Sequence, residues 1–554
     1  MKKRLFVFIL SVCMLFSSCG GLVSAGNGNT STPSNTQSEE SVGKENSESN
    51  ANSESNANSE SDSNSASDNE DSSGKEEDAC EHTDSNEDGV CELCFESVLV
   101  TLDLYAVNDL HGKFTDSDTQ NGVDELTTYL KNAKAENEYT YFLSSGDMWQ
   151  GGAESNLTKG RIITDWMNQT GFSAMTLGNH EYDWGEEAVE INADMAEFPF
   201  LAINVYERAT NERATYCQPS VMIEENGLKI GLIGAIGDCY SSISSDKVTD
   251  IYFKTGDQLT ALVKAEALRL REAGADCIVY SLHDGYGKST SGVQSITDSN
   301  LKSYYDIELS KGYVDVVFEG HSHQNYVYLD SEGVYHLQGG GDNDGVSHAE
   351  LIINVATNTA ETETAEFIAA GRYASLADDS IIAELLVKYQ DEIALANKVV
   401  GQNSRYRSST VLRNLVARLY YEKGVETWGD EYNIVLGGGF ISVRSPYVLE
   451  AGQVLYGDLQ SIFPFDNQIV LCRISGKKLK EVFLETTKDN YYMYYGEYGE
   501  TIKDSVNIAT AYYVVTDTYT SQYSWNGLTE IARLDETTFA RDLLAEYING
   551  GGLA

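Results

Sequence analysis

Five times in this chain an apolar, strand-like run stops at a loop of imidazole, carboxylate and amide side chains. Residues 102–107 lead into Asn108, Asp109, Leu110, His111 and Gly112, and residues 141–144 lead into Ser145, Gly146 and Asp147. Residues 173–177 lead into Gly178, Asn179, His180, Glu181, Tyr182, Asp183, Trp184 and Gly185. Residues 277–282 lead into His283, Asp284 and Gly285, and residues 314–318 into Glu319, Gly320, His321, Ser322 and His323. The chain has 8 histidines, and five of them lie in these loops. In open α/β sheets ligands gather beyond the carboxyl ends of strands. Five polar strand ends therefore imply one shared site at the end of an α/β domain.

Helical spacing alternates with these runs from residue 98 to about residue 372. Residues 121–135 place Val123, Leu126, Leu130 and Ala133 on one face, and residues 259–273 do so with Leu262, Ala265, Leu268 and Leu270. The spacing of Leu376, Ile381, Leu385, Leu386, Ile393 and Leu395 predicts one long connecting helix over 374–399. Residues 401–554 read as a second, smaller α+β domain. With 554 residues, two or three domains of ordinary size are expected. The formal net charge is −48, and no basic patch recurs, which excludes polymeric nucleic acid as a partner. An anionic substrate needs strong local cations on such a chain, and bound metals supply them.

The N-terminal part reads differently. Lys2, Lys3 and Arg4 precede an apolar run over 5–16, too short to span a bilayer, which marks a signal peptide. Phe16, Ser17, Ser18 and Cys19 resemble a bacterial lipoprotein processing site, with residues 1–19 the leader and Cys19 the lipid-bearing residue; the alternative is cleavage after Ala25 and secretion. No second apolar run reaches the ~20 residues of a membrane helix, so membrane attachment is expected only through that lipid. Residues 20–78 are low in complexity, with one hexapeptide at 47–52 repeated at 53–58, and read as a solvated tether. Cys80, His82, Cys91 and Cys94 follow, within a knot expected over 79–97. Four soft ligands with a Cys-x2-Cys arm suit a structural zinc site, and a disulfide with one spare thiol is the alternative. Asp84, Asn86, Asp88 and Gly89 imitate the start of a calcium loop, but Phe95 stands where the closing glutamate belongs. Cys217, Cys239, Cys277 and Cys472 are too scattered to pair by spacing.

Two divalent cations sharing one carboxylate need about seven or eight ligands of nitrogen and oxygen type, and the five loops offer that set. Such a pair suits in-line phosphoryl transfer to water. In order, the motifs around Asp109 and His111, Asp147, Asn179 and His180, His283, and His321 and His323 match those of the calcineurin-like metallophosphoesterases. Nearly everything after residue 98 resembles the 5′-nucleotidase branch, which also holds UDP-sugar hydrolases and 2′,3′-cyclic-nucleotide phosphodiesterases. The resemblance implies a metallophosphoesterase β-sandwich flanked by helices over 98–372, a linking helix over 373–400 and a substrate-binding C-terminal domain over 401–554. It also implies Asp109, His111 and His323 on one metal, Asn179, His283 and His321 on the other, and Asp147 as the bridge. Histidine at position 323 favours zinc, manganese or iron over magnesium. His180 and Asp183 resemble the catalytic pair, the carboxylate orienting an imidazole that faces phosphate.

For the second domain, residues 436–444 resemble a glycine-rich loop bearing a phosphate-gripping arginine, here Arg444, with Arg405 and Arg407 as weaker candidates. Phe465 and Asn467 fall in a stretch that resembles the family's base-binding loop, which implies Phe465 stacking on a base, Asn467 at its edge and Tyr519 as the second face of an aromatic clamp. A domain closure about the linking helix is implied. Relatives often carry Gly-Gly-Asp-Gly-Tyr where this chain has Thr520, Ser521, Gln522, Tyr523, Ser524, Trp525, Asn526 and Gly527, so base and sugar preference stay open. The leading expectation is phosphate release from nucleotides, with UDP-sugars as further substrates. The rivals are a 2′,3′-cyclic phosphodiesterase with 3′-nucleotidase activity and a surface lipoprotein that binds nucleotides or host ligands without turnover. His336 and His348 read as hydrogen-bonded structural residues, and Glu181 and Trp184 as packing or capping residues.

Overall fold

Side-chain alternation in the first strand sets the layers. In β1 (Leu99–Val107), Leu102, Leu104 and Ala106 enter one core while Tyr105 and Val107 enter another. The computed structural model describes residues 80, 82–86, 88–116, 121–286, 296–297, 312–484, 492–496, 505–523 and 526–554. The signal peptide, Cys19 and the tether lie outside the described residues. All described residues belong to one compact unit, Glu77–Ala554.

Among the described residues, thirteen strands follow β1 before the chain leaves the first domain. They are β2 (Thr140–Ser144), β3 (Phe172–Thr176), β4 (Phe200–Leu201), β5 (Val205–Glu207), β6 (Ser220–Glu225), β7 (Leu228–Ile236), β8 (Ile251–Phe253), β9 (Cys277–His283), β10 (Val316–Glu319), β11 (Asn325–Leu329), β12 (Tyr335–Gly339), β13 (Gly345–Asn354) and β14 (Thr359–Ala369). One six-stranded sheet runs β14-β13-β1-β2-β3-β4, and a second runs β11-β12-β10-β9-β7-β6. Strands β1 to β4 are mutually parallel, as are β7, β9, β10 and β12. Parallel neighbours need crossovers of a dozen or more residues. Helices Ala153–Thr158 and Arg161–Thr170 supply one between β2 and β3, and Asp257–Glu272 supplies one between β7 and β9.

The two sheets face each other across Leu102, Leu104, Leu143, Leu232, Val279 and Phe318. Helices Asp124–Glu136 and Arg161–Thr170 cover the outer face of the first sheet with Leu126, Leu130, Ile162 and Trp166. Helix Asp257–Glu272 covers the second with Leu259, Val263, Ala267 and Leu270. This is the β-sandwich flanked by helices that the resemblance implies. Each fully buried Leu, Val or Phe contributes about 1.5–3 kcal/mol of gross burial, so the layers are held by the same residues that define the alternation. Strand β9 is buried at all seven positions, as a strand covered on both faces must be.

The single helix expected over 374–399 is instead two short ones, Ser380–Lys388 and Gln390–Ile393. Tyr389 breaks them with φ −101° and ψ 16°. The break lets its ring enter the core while its hydroxyl donates to Asp165 Oδ2 at 2.5 Å. Beyond it, β15 (Val399–Asn403) pairs with β17 (Gly452–Leu455). A five-stranded sheet runs β19-β16-β20-β18-β21, made of β16 (Ile434–Phe440), β18 (Ile469–Ser475), β19 (Tyr492–Gly496), β20 (Ala511–Asp517) and β21 (Leu528–Arg533). The glycines expected to cradle an anion lie inside β16. Gly437, Gly438 and Gly439 pair with Tyr495, Tyr494 and Met493 of β19. Their reason is packing. A Cβ on Gly437 would sit 2.2 Å from the Tyr421 backbone nitrogen, so only glycine lets the helix Ser409–Trp428 lie directly on this strand.

Candidate active site

The carboxyl ends of β1, β2, β3, β9 and β10 bring the five polar loops together. Local backbone aims the donors. Asp109, His111, Asp147, His321 and His323 all take left-handed conformations, with φ of 49°, 49°, 55°, 68° and 53°. Aspartate and histidine tolerate this region better than most side chains, yet each such residue still costs of order 1–3 kcal/mol. The surrounding loops hold them there by hydrogen bonds. Asp109 N donates to Gly146 O at 2.9 Å, and His111 N donates to Asp147 O at 3.1 Å.

Asp109 is fully buried. Its Oδ2 accepts from His321 N at 2.7 Å and from Asn108 Nδ2 at 2.8 Å. Its Oδ1 accepts no hydrogen bond; it faces His323 Nε2 at 3.4 Å and His111 Nε2 at 3.9 Å. Those two imidazole nitrogens lie 2.9 Å apart. His111 Nδ1 donates to the Gln150 carbonyl at 2.8 Å, which leaves Nε2 as the inward lone pair. Asp147 Oδ1 accepts from His180 N at 2.8 Å, and Oδ2 lies 3.1 Å from His283 Nε2. His283 Nε2 is also 3.2 Å from Asn179 Oδ1, and its Nδ1 donates to Ser145 O at 2.6 Å. The His321 ring stands edge-on to His283 at 5.6 Å. Three groupings here have ligand atoms all within 4.8 Å of one another: Asp109 with His111 and His323, Asp109 with Asp147 and His283, and Cys239 with His283 and His321.

The electrostatics suit cation binding. Burial and then the Arg444 charge lower His111, and the same two causes bring His323 to about 4. Burial and the nearby His283 charge bring His321 to about 3. These rings stay neutral and keep a free lone pair. Burial raises Asp147, but the charges of His283 and His180 outweigh it and hold the carboxyl well below its usual range. Burial lowers His283, yet Asp147 overcomes it and raises the ring to about 10, so a proton occupies the position a cation would take. The unsatisfied buried Oδ1 of Asp109, three neutral imidazoles, an ionised carboxylate and an amide oxygen fit divalent metal ions of borderline type.

Glu181 ties two of the loops. Its Oε2 accepts from Asp147 N at 2.9 Å and Gly178 N at 2.7 Å, and its Oε1 accepts from Met148 N at 2.8 Å. His180 Nδ1 pairs with Asp183 Oδ2 at 2.7 Å, the orienting contact expected of that pair. His336 and His348 stand apart. His336 sits buried between Asp330 and Glu319, and His348 pairs with Asp103 at 2.7 Å.

The C-terminal half reaches into the same place. The Arg444 guanidinium donates to His180 Nε2 and stands 5.6 Å from the centre of the Phe465 ring. A cavity of about 200 Å³ opens here, lined by Asn179, His180, Arg444, Phe465, Asn467 and Tyr519 among others. Arg407 turns to Asn403 Oδ1 at 3.0 Å, and neither it nor Arg405 lines this space. The lining also includes Phe440, Lys247 and Ser442, which sequence reasoning passes over. The Phe440 ring lies 5.7 Å from Tyr519, whose hydroxyl accepts from Tyr523 at 2.8 Å. Cys239 is a further omission: its thiol donates to the His283 carbonyl at 2.9 Å.

A family model for calcineurin-like phosphoesterases matches residues 102–325, and one for the 5′-nucleotidase C-terminal domain matches residues 388–525. The chain is 26% identical to protein UshA of Yersinia enterocolitica over 425 residues, covering 68% of this chain and 74% of that one. It is 25% identical to a 5′-nucleotidase of Vibrio cholerae over 429 residues, covering 68% and 74%. Among solved structures, a 5′-nucleotidase precursor from Thermus thermophilus superposes with a TM-score of 0.64 at 18% identity, covering 81% of this chain and 96% of that one. That last likeness is one of fold.

Proposed function

Since the chain joins a calcineurin-like phosphoesterase domain to a 5′-nucleotidase C-terminal domain, it belongs to the 5′-nucleotidase type of metallophosphoesterase hydrolases, and we propose that it releases phosphate from nucleotides at a centre of two divalent metals. The observation that carries this reading is Asp109 Oδ1, buried and without a hydrogen bond, aimed at the inward nitrogens of His111 and His323. Asp109, His111 and His323 would hold one cation, Asn179, His283 and His321 the other, and Asp147 would be shared. Zinc, manganese or iron suits so many imidazoles better than magnesium. Such cations supply Lewis acidity toward a phosphoryl oxygen and toward water at neutral pH.

The protein's own groups do the rest. Asp183 fixes the tautomer of His180, so Nε2 faces the cavity beside the Arg444 guanidinium. A phosphoryl oxygen entering between the two takes hydrogen bonds from the guanidinium and, with His180 as the imidazolium paired to Asp183, from Nε2, so charge developing there is met by oriented donors. Phe465 offers a ring for a base to stack on, with Asn467 at its edge and Tyr519 on the same cavity. The meeting of Arg444 with His180 supports a closed arrangement that shields the reacting phosphate from water. The cationic start, the apolar run over 5–16 and Cys19 support export and attachment to a bacterial membrane by a lipid. No helix among the described residues is long and apolar enough to span a bilayer.

The test is a substrate panel of AMP, UDP-glucose and 2′,3′-cAMP against the full-length protein with manganese, zinc or magnesium. AMP turnover that disappears in Asp147→Ala, with loss of bound metal, is expected. A preference for 2′,3′-cAMP would move the assignment to the cyclic phosphodiesterase branch. No phosphate release with any metal would replace hydrolysis by binding alone.

A further inference from the structure

Four ligating side chains meet far from the cavity, where the chain enters β1 from its amino end. Cys80, His82, Cys91 and Cys94 offer atoms that all lie within 4.8 Å of one another. Cys91 and Cys94 sit in a tight hairpin turn. Val90 bridges Ser97 in antiparallel fashion, Cys91 N donates to Glu96 O at 2.8 Å, and Phe95 N donates to Cys91 O at 2.8 Å. Phe95 takes φ 63° to close the turn. Leu93 N then points its hydrogen at Cys91 Sγ from 3.4 Å, a contact that favours thiolate sulfur.

The distances decide between zinc and a disulfide. Cys80 Sγ and Cys91 Sγ are 3.8 Å apart, whereas a disulfide bond is about 2.05 Å long. With zinc–sulfur bonds of ~2.3 Å, the edge of a regular tetrahedron is about 3.8 Å. Cys94 Sγ and His82 Nδ1 are 3.5 Å apart. The same tetrahedron, with a zinc–nitrogen bond of ~2.0–2.1 Å, puts sulfur and nitrogen about 3.5–3.6 Å apart. Two edges of different chemistry thus take the lengths one ion would impose.

We propose that Cys80, His82 through Nδ1, Cys91 and Cys94 bind a structural Zn²⁺ separate from the hydrolytic centre. The three thiols lose their protons to solvent on binding, and His82 coordinates as neutral imidazole. All four positions are filled by protein, so the ion has no open place for substrate. Its work is mechanical. Little apolar surface holds this knot, since Leu93 is 63% and Phe95 80% exposed. An element so poor in core needs a staple. Its polar side does fasten to the sandwich. Asp84 Oδ2 accepts from Asn354 Nδ2 at 2.7 Å at the end of β13, and Val98 N donates to Gly89 O at 3.0 Å at the start of β1.

Full-length protein purified under reducing conditions and loaded with Co²⁺ in place of zinc tests this directly. A thiolate-to-cobalt charge-transfer absorption is expected. It should vanish in the double variant Cys91→Ser, Cys94→Ser and persist in Cys239→Ser, the cysteine near the hydrolytic histidines. Phosphate release by the double variant should remain. No charge-transfer absorption in the unaltered protein, its survival in the double variant, or a disulfide between any two of the three cysteines in the metal-loaded protein would each overturn the assignment.

Discussion

The side chain of Arg444 donates to Nε2 of His180 across 264 positions of sequence. His180 Nδ1 is already committed to Asp183 at 2.7 Å, so Nε2 serves as the acceptor. An anion that takes both groups must part them; the guanidinium then has a donor free, and Nε2 offers one only from the protonated ring.

Removing Arg444 should therefore weaken substrate capture. Hydrogen bonds to charged groups are worth about 1.5–3 kcal/mol, so Arg444→Ala should raise KM for AMP by about 10- to 100-fold. Steady-state kinetics at saturating metal measures it. An unchanged KM would remove Arg444 from the phosphate site.

His180→Ala should lower kcat by about 10²–10⁴, the range of general acid–base and charge-stabilising side chains. Both metals should stay bound, because the backbone N of His180 keeps its hydrogen bond to Asp147 Oδ1 and His283 still faces Oδ2. Asp183→Asn should cost less, since the amide oxygen still accepts from Nδ1. Near-normal turnover in His180→Ala would cancel its proposed role.

Glu181 is fully buried and accepts three backbone N–H groups. Glu181→Gln sets an amide donor against one of them. A loss of about 1–3 kcal/mol in stability is expected from the unsatisfied group. Metal affinity should fall about 10- to 100-fold, as for other groups that orient ligands from behind. Denaturant melts and competition with a chelator provide the two readings.

Phe465→Ala separates base recognition from phosphate chemistry. Loss of base stacking costs about 1–3 kcal/mol, so kcat/KM should fall for AMP but not for p-nitrophenyl phosphate. Equal falls for both would assign Phe465 to the support of Arg444, which stands over its ring.

Asp517 carries a pH dependence of stability. Burial pushes it from 3.8 up to about 6, against the hydrogen bonds it accepts from Thr520 N and Tyr420. Between those values the folded chain holds the proton and the unfolded chain does not, so stability falls as pH rises from about 4 to about 6. A difference of about two pKa units is worth about 3 kcal/mol. Asp517→Asn keeps the cap on Thr520 and loses this dependence. Unfolding at pH 4 and pH 7 in both proteins measures the difference, and parallel profiles would refute it.

The ligand loops were legible because each keeps its donors within a few residues of a strand end, where local composition records them. Helix Asp124–Glu136 was legible for a similar reason, whereas helix Asp257–Glu272 was legible as an element but not in its face: Leu259, Val263, Ala267 and Leu270 are buried, and Leu268, expected among them, is 52% exposed. The segment 374–399 misleads because its spacing runs on through Tyr389, and only the distant Asp165 shows why the helix stops there. Gly437 misleads because close approach to an anion and close approach to a helix select the same residue. Lys247 and Cys239 have no local signature, since segments remote in sequence bring them to the cavity or the histidines behind it, while Phe440 ends β16 inside the stretch 436–444 whose glycines and arginine drew attention away from its ring.

Five of the seven residues assigned to metal hold the backbone in a conformation that suits glycine better than themselves. Natural or laboratory selection for heat resistance alone would favour glycine at His321 and His323, while Asp109 and Asp147 also satisfy buried donors through their carboxylates. A sturdier, inert scaffold would result, so turnover in this chain is maintained against the pull of its own folding free energy.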